Sequence, residues 1–270
     1  MLAGIACPIS LLEECAAQGH YHMALSHLIL KSEVYRSFYL RMSQRGDFVS
    51  VDNGVVEKGK ALPLVSVLEA AHMVRAQEVV LPDVLYDGPK TLYVVSEAWE
   101  YLTMHGCIQD FRWLAVPHGR TFREWLECYL QLLMIDAVDT IGVSMFDHDL
   151  LPGGRPQILS VLEELQLVDS TKDYHMLGCW KDLRETWFLA HRYRVPTTPY
   201  GESPGKRTWI RSMDTGVPVR VGLMNGQYYP LDEPQMPLPV THRGDDFFAA
   251  VVMNDAIQHN IDLYKTWCEE

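Results

Sequence analysis

Apolar and polar residues along the chain fall into two alternating rhythms. Short runs rich in β-branched and aromatic residues, each of a strand's length, occur at 2–7 (LAGIAC), 22–30 (HMALSHLIL), 48–52 (FVSVD), 78–82 (EVVLP), 111–117 (FRWLAVP), 140–145 (TIGVSM), 174–178 (YHMLG) and 208–213 (TWIRSM). Between them, at 10–18, 32–43, 62–76, 91–106, 121–134, 155–167 and 181–193, apolar residues recur at i, i+3 and i+4, the spacing of a helix with one buried face. Strand followed by helix, repeated along one domain's length, predicts an α/β fold, a parallel (β/α)8 TIM barrel, with a doubly wound sheet as the alternative. A last periodic stretch, 245–267, follows the Pro-rich LDEPQMPLPV at 231–240 and carries Asp245 and Asp246 in its first turn, where the helix dipole favours acids. Residues 1–270 are therefore expected to form one barrel domain, with 222–270 as a loop plus a barrel-closing helix.

Composition narrows function more than fold. A chain of 270 residues, 48% hydrophobic and 21% charged, is long enough to bury a full core. No run reaches the roughly 18 apolar residues of a membrane span. No Lys or Arg precedes Lys31, so the apolar start lacks the basic segment of a signal peptide, and an intracellular, cytoplasmic protein is expected. Six cysteines without a CxxC or CxC pair suggest reduced, buried thiols and neither a zinc knuckle nor a disulfide framework. The net charge of −12 argues against indiscriminate binding to polyanions, so contact with nucleic acid requires a local basic patch. The segment 191–211 offers one: Arg192, Arg194, Lys206, Arg207 and Arg211 are interleaved with Tyr193, Tyr200 and Trp209, cations suited to phosphate and rings suited to stacked bases. A solvated loop is the plainer alternative for the same residues.

A parallel barrel keeps its chemistry at the C-terminal ends of the strands and in the loops that follow them. Asp52, Asp83 and Asp214 all fall at such ends, as do His118 and Gly142. One acid there can simply cap a helix or brace a loop; three on one face point to chemistry. Two carboxylates in one pocket push their pKa values apart, so that one stays ionised while the other keeps a proton. Retaining glycosyl transfer uses such a pair, and a third carboxylate can accept from the ring N–H and amino groups of a base. Residue types alone leave open which acid does which. Two further groups are metal-like in type. His20 and His22 are expected at the opposite end of the barrel, and Asp147, His148 and Asp149 of FDHD are expected to cap a helix or bond within their loop.

The ordered series DNG (52–54), LPD (81–83), VPHG (116–119), IGVS (141–144), HMLG (175–178) and SMDTG (212–216) resembles the strand-end series of the tRNA-guanine transglycosylase superfamily over roughly residues 45–220. That resemblance implies Asp214 as the nucleophile toward ribose C1′ and Asp52 as general acid/base. It implies Asp83 as reader of the purine N–H and amino group, Gly142 and Val143 as backbone partners of the base carbonyl, and Met176 and Leu177 as pocket cover. His118 stands where the family has Gln, with its bond to the base O6 still expected, and Asn53 stands where the family has Ser. The family's C-terminal zinc motif, a CxCxxC with a distant His, is missing, and in this the chain most resembles the phage-encoded DNA 7-deazaguanine transglycosylases. The implied activity is exchange of guanine in DNA for a 7-deazaguanine base through a covalent Asp–C1′ intermediate, a genome modification against restriction. It would act on a flipped or single-stranded guanine without metal or nucleotide cofactor, in the host cytoplasm if viral, and a homodimer stays open. A tRNA-directed transglycosylase, a metal-dependent barrel hydrolase and a non-catalytic nucleic-acid-binding module are the alternatives.

Overall fold

Helices cover the outer face of the strands with apolar side chains, and this is what lets short runs such as EVV and RWLA persist as strands. The computed structural model describes residues 1–178, 184–193, 210–219, 253 and 255–269. Its strands are β1 (Leu2–Ile5), β2 (Tyr21–Leu25), β3 (Phe48–Asp52), β4 (Glu78–Val80), β5 (Arg112–Ala115), β6 (Thr140–Ser144), β7 (Asp173–Leu177) and β8 (Ile210–Thr215). Each pairs in parallel with the next, and β8 pairs with β1, so the sheet closes into the expected (β/α)8 barrel. Outward residues Val49, Val51, Val79, Ile141, Val143, Met176 and Met213 belong to the large apolar layer beneath the helices. Inward, Val80, Leu114 and Val116 form a small cluster with Met23 and Leu177 across the barrel axis.

The helices are α1 (Ser26–Lys31), α2 (Glu33–Arg45), α3 (Val55–Lys58), α4 (Leu64–Val74), α5 (Gly88–His105), α6 (Phe122–Leu133), α7 (Gly154–Glu164), α8 (Arg184–Tyr193) and α9 (Asp255–Glu269). Local sequence sets their ends: Ser32, Asp87 and Thr121 accept bonds from the first turns of α2, α5 and α6. Helix α9 packs on α8 and β1, and its Tyr264 hydroxyl donates to the Met213 carbonyl at 2.9 Å. Among the described residues no helix is long and apolar enough to cross a membrane, and Cys7, Cys15, Cys107 and Cys128 are outside any disulfide.

Two expected elements are corrected. The apolar run 22–30 is a strand only to Leu25, because β2 pairs from Tyr21↔Phe48 to Leu25↔Asp52 and β3 ends there; beyond that point the chain turns into α1. The helix expected at 10–18 is instead two 3-10 turns, Ile9–Leu11 and Ala16–Gln18. Its apolar residues are buried as the periodicity requires, and neither turn has a side-chain cap.

The N-terminal end of the barrel is filled by charge. Glu78 is fully buried and receives the Arg211 guanidinium through Nη1 at 2.9 Å and Nη2 at 2.8 Å, together with the Thr140 hydroxyl at 2.6 Å. Arg211 Nη1 also reaches Asp173 at 3.3 Å, and its guanidinium lies over the Phe48 and Tyr21 rings. A bulge makes this possible. Tyr174 pairs with Ile210 and His175 with Ser212, so Arg211 is an extra residue in β8, and both it and Ser212 face the barrel interior.

Candidate active site

At the tip of β3 the inward alternation of Phe48 and Ser50 brings Asp52 to the mouth of the barrel. Asn53 follows and ties this tip to the next one: its amide donates to the Leu81 carbonyl at 2.8 Å and to Asp83 Oδ1 at 2.5 Å, while its oxygen accepts from the Val55 N–H at 2.9 Å. Asp83, in the loop after β4, is buried, and its Oδ2 meets His118 Nε2 at 2.5 Å. Burial alone would push the His118 imidazole down, but the bond and charge of Asp83 raise it above its ordinary value. Removal from water pushes the Asp52 carboxyl well above the usual carboxylate range, and the neighbouring carboxylates Glu57, Asp83 and Asp214 push it further in the same direction.

The opposite wall comes from β7 and β8. Asp214 Oδ1 accepts from His175 Nε2 at 2.9 Å and from the Gly178 N–H at 3.1 Å. Gly178 sits at φ +67°, a left-handed conformation that directs its N–H to the carboxylate and that a β-carbon would strain. On the adjoining strand β1, Gly4 is constrained by space, because a β-carbon there would lie 2.9 Å from Tyr21 Cδ1 and 3.1 Å from Asp214 Cβ. Oδ2 of Asp214 has no hydrogen-bond partner among the described residues, and the side chain is 16% exposed, toward the cavity it lines.

Asp52, Asp83, His118 and Asp214 line one cavity of about 150 Å³, together with Glu57, Tyr35, Tyr39, Ser144, Phe146 and Leu177 among others. No Lys or Arg is among its described lining residues, so the pocket presents carboxylates to a ligand rich in N–H donors. Asp147 stands behind it. Its carboxylate accepts from the Ser144 N–H at 2.9 Å in a capping box, as expected of FDHD, and burial pushes its pKa up to about 7.

Several residues expected at the site lie elsewhere. Neither Val143 nor Met176 lines the cavity: both side chains are fully buried on the outer, helix-facing side of β6 and β7, and the Val143 carbonyl accepts from Arg155 Nη1 at 2.8 Å. Gly142 does face inward but lies beneath the floor, where a β-carbon would meet Leu177 Cδ1 at 2.7 Å and Leu114 Cδ2 at 2.8 Å. His118 directs Nε2 at Asp83, so that nitrogen is not available to a base O6. Arg211 is at the far end of the barrel, bound to Glu78, and does not form part of a nucleic-acid contact beside Asp214. Arg194, Lys206 and Arg207, and the side chain of Arg192, lie outside the described residues.

His175 and Ser212 were missed as site residues although both stand inside the quoted motifs; period-two alternation with Leu177 and Asp214 was the signal that puts them in the barrel. In the sequence Asn53 is visible only as a replacement for Ser; its bridging bonds depend on where the tip of β4 falls. His20 and His22 bond to Asp47, each at 3.0 Å, at the N-terminal end of the barrel as expected, with His22 the second residue of β2. Among the described residues no group of three or more His, Cys, Asp and Glu is arranged to hold a metal ion. Neither a protein-family model nor a curated protein matches the chain.

Proposed function

We propose that the chain is a base-exchange transglycosylase that replaces guanine in DNA by a 7-deazaguanine base. The observation that carries this reading is the pairing of two unlike carboxylates in one cavity: Asp214, with Oδ1 held by two donors and Oδ2 without a partner among the described residues, and Asp52, whose carboxyl is pushed well above the usual carboxylate range by burial and by the acids around it. In the first step Asp214 Oδ2 attacks C1′, the glycosidic C–N bond breaks, and Asp52 gives its proton to the departing guanine. In the second, the deazaguanine nitrogen attacks the same carbon, its proton passes to Asp52, and the Asp214–C1′ ester opens. Two displacements on one centre retain configuration and consume no cofactor.

Asp83, braced by Asn53 and His118, offers carboxylate lone pairs to the N–H and amino edge of the base. The choice of DNA over tRNA, and of a 7-deaza base, comes from the sequence resemblance. The test is a labelled-guanine exchange assay on DNA and on tRNA side by side. Label is expected to enter or leave DNA only, and Asp214→Ala is expected to abolish both exchange and a denaturation-resistant protein–DNA adduct formed by the parent. Label entering only tRNA would overturn the substrate, and an Asp214→Ala variant with undiminished exchange would overturn the mechanism.

A further inference from the structure

We propose that Arg211, Ser212 and His175 form a one-way hydrogen-bond relay that holds His175 as a neutral imidazole with its proton on Nε2, making it the positioning residue for Asp214. The consequence for catalysis rests on Asp214 being the nucleophile; the relay itself does not.

The direction follows from what each group can do. A guanidinium only donates, so Arg211 Nε donates to Ser212 Oγ at 3.3 Å. The serine hydroxyl then points its single proton along its other polar contact, His175 Nδ1 at 2.8 Å. That ring nitrogen accepts and carries no proton. Nε2 is left as the donor to Asp214 Oδ1 at 2.9 Å. One end of the relay cannot swing away, because Arg211 is held by both oxygens of buried Glu78 and stacked over the Phe48 ring at 4.7 Å. The imidazole cannot rotate either, since His175 is fully buried and the Tyr21 ring packs against it at 5.0 Å.

The charged and titratable groups that face the imidazole are Tyr21 from β2, Glu78 from β4, and Arg211 and Asp214 from β8. The cation among them sits on the Nδ1 side, behind Ser212, where it opposes a second positive charge on the ring. A neutral donor orients the Asp214 carboxylate while leaving its negative charge for attack. An imidazolium in the same place would form an ion pair with Asp214 and blunt its nucleophilicity.

The test uses the full chain with ¹⁵N-labelled histidine, its His175 resonances assigned by their loss in His175→Gln. At pH 7 the parent is expected to show a neutral ring with the proton on Nε2. Ser212→Ala is expected to lose that signature; Ser212→Thr, which keeps the hydroxyl, restores it. In the exchange assay Ser212→Ala is expected to lower kcat at pH 7 by about tenfold, with KM for the free base unchanged. A doubly protonated ring in the parent at pH 7, or a His175 spectrum indifferent to Ser212→Ala, would overturn the relay. A parent without exchange but with the neutral Nε2–H ring removes the proposed function and supports the relay.

Discussion

At Asp52 stability and the proposed chemistry pull in opposite directions. Burial and three neighbouring carboxylates raise its pKa, so the folded protein holds a proton that the unfolded chain releases near pH 4. The sign for such an acid is that stability is greatest below the unfolded value and is lost as pH rises toward the folded one. Asp52→Asn lacks that loss. It is expected to be at least as stable as the parent at pH 8 in denaturant titrations, and to gain least at pH 4, while exchange falls about 100-fold or more with the general acid removed. A variant that lost stability at pH 8 and kept exchange would contradict both halves. For Asp214 the reverse holds, because its carboxylate satisfies His175 and the Gly178 N–H, so its replacement carries a cost in order as well as in chemistry.

Between elements, the most consequential contacts are the charged ones that cross the barrel or join its helices to its strands. Glu78 on β4 and Arg211 on β8 are paired through two bonds in a site away from water, and removing one partner strands the other. Glu78→Gln is therefore expected to cost about 3 kcal/mol or more in chemical denaturation. Asp47 joins the end of α2 to β2 through Arg45, His20 and His22. Burial works against its charge, yet bonds from those residues hold its pKa down to about 2. A depressed carboxylate gives its stability above the unfolded pKa and loses it as pH falls through the folded one. Asp47→Asn is thus expected to cost about 2 kcal/mol at pH 7, with the gap to the parent closing between about pH 4 and pH 2. A gap that persisted at pH 2 would show the effect to be one of packing.

For the molecule as a whole, the barrel was legible because a buried parallel strand and an amphipathic helix write different periods, and their alternation leaves few topologies. Chain order alone also put Asp52, Asp83, His118 and Asp214 on one face, since parallel strands all end at the same side. Boundaries were less legible where an apolar run outlasts its ladder, as at Ser26–Lys31, whose helical state depends on β3 ending at Asp52. Period two, applied strictly, removes the Met176 side chain from the pocket at the outset. It would still have failed at Arg211: counting back from inward-facing Asp214 and Ser212 sends Arg211 outward, and only the extra residue against β7 turns it into the barrel. The groups delivered to the barrel's C-terminal mouth follow from the chain alone, because strand period and order are local properties. Tertiary structure decided their partners, the Asp83–His118 and His175–Asp214 bonds and the Arg211–Glu78 pair, because each joins residues 35 or more positions apart whose meeting depends on register and closure of the sheet.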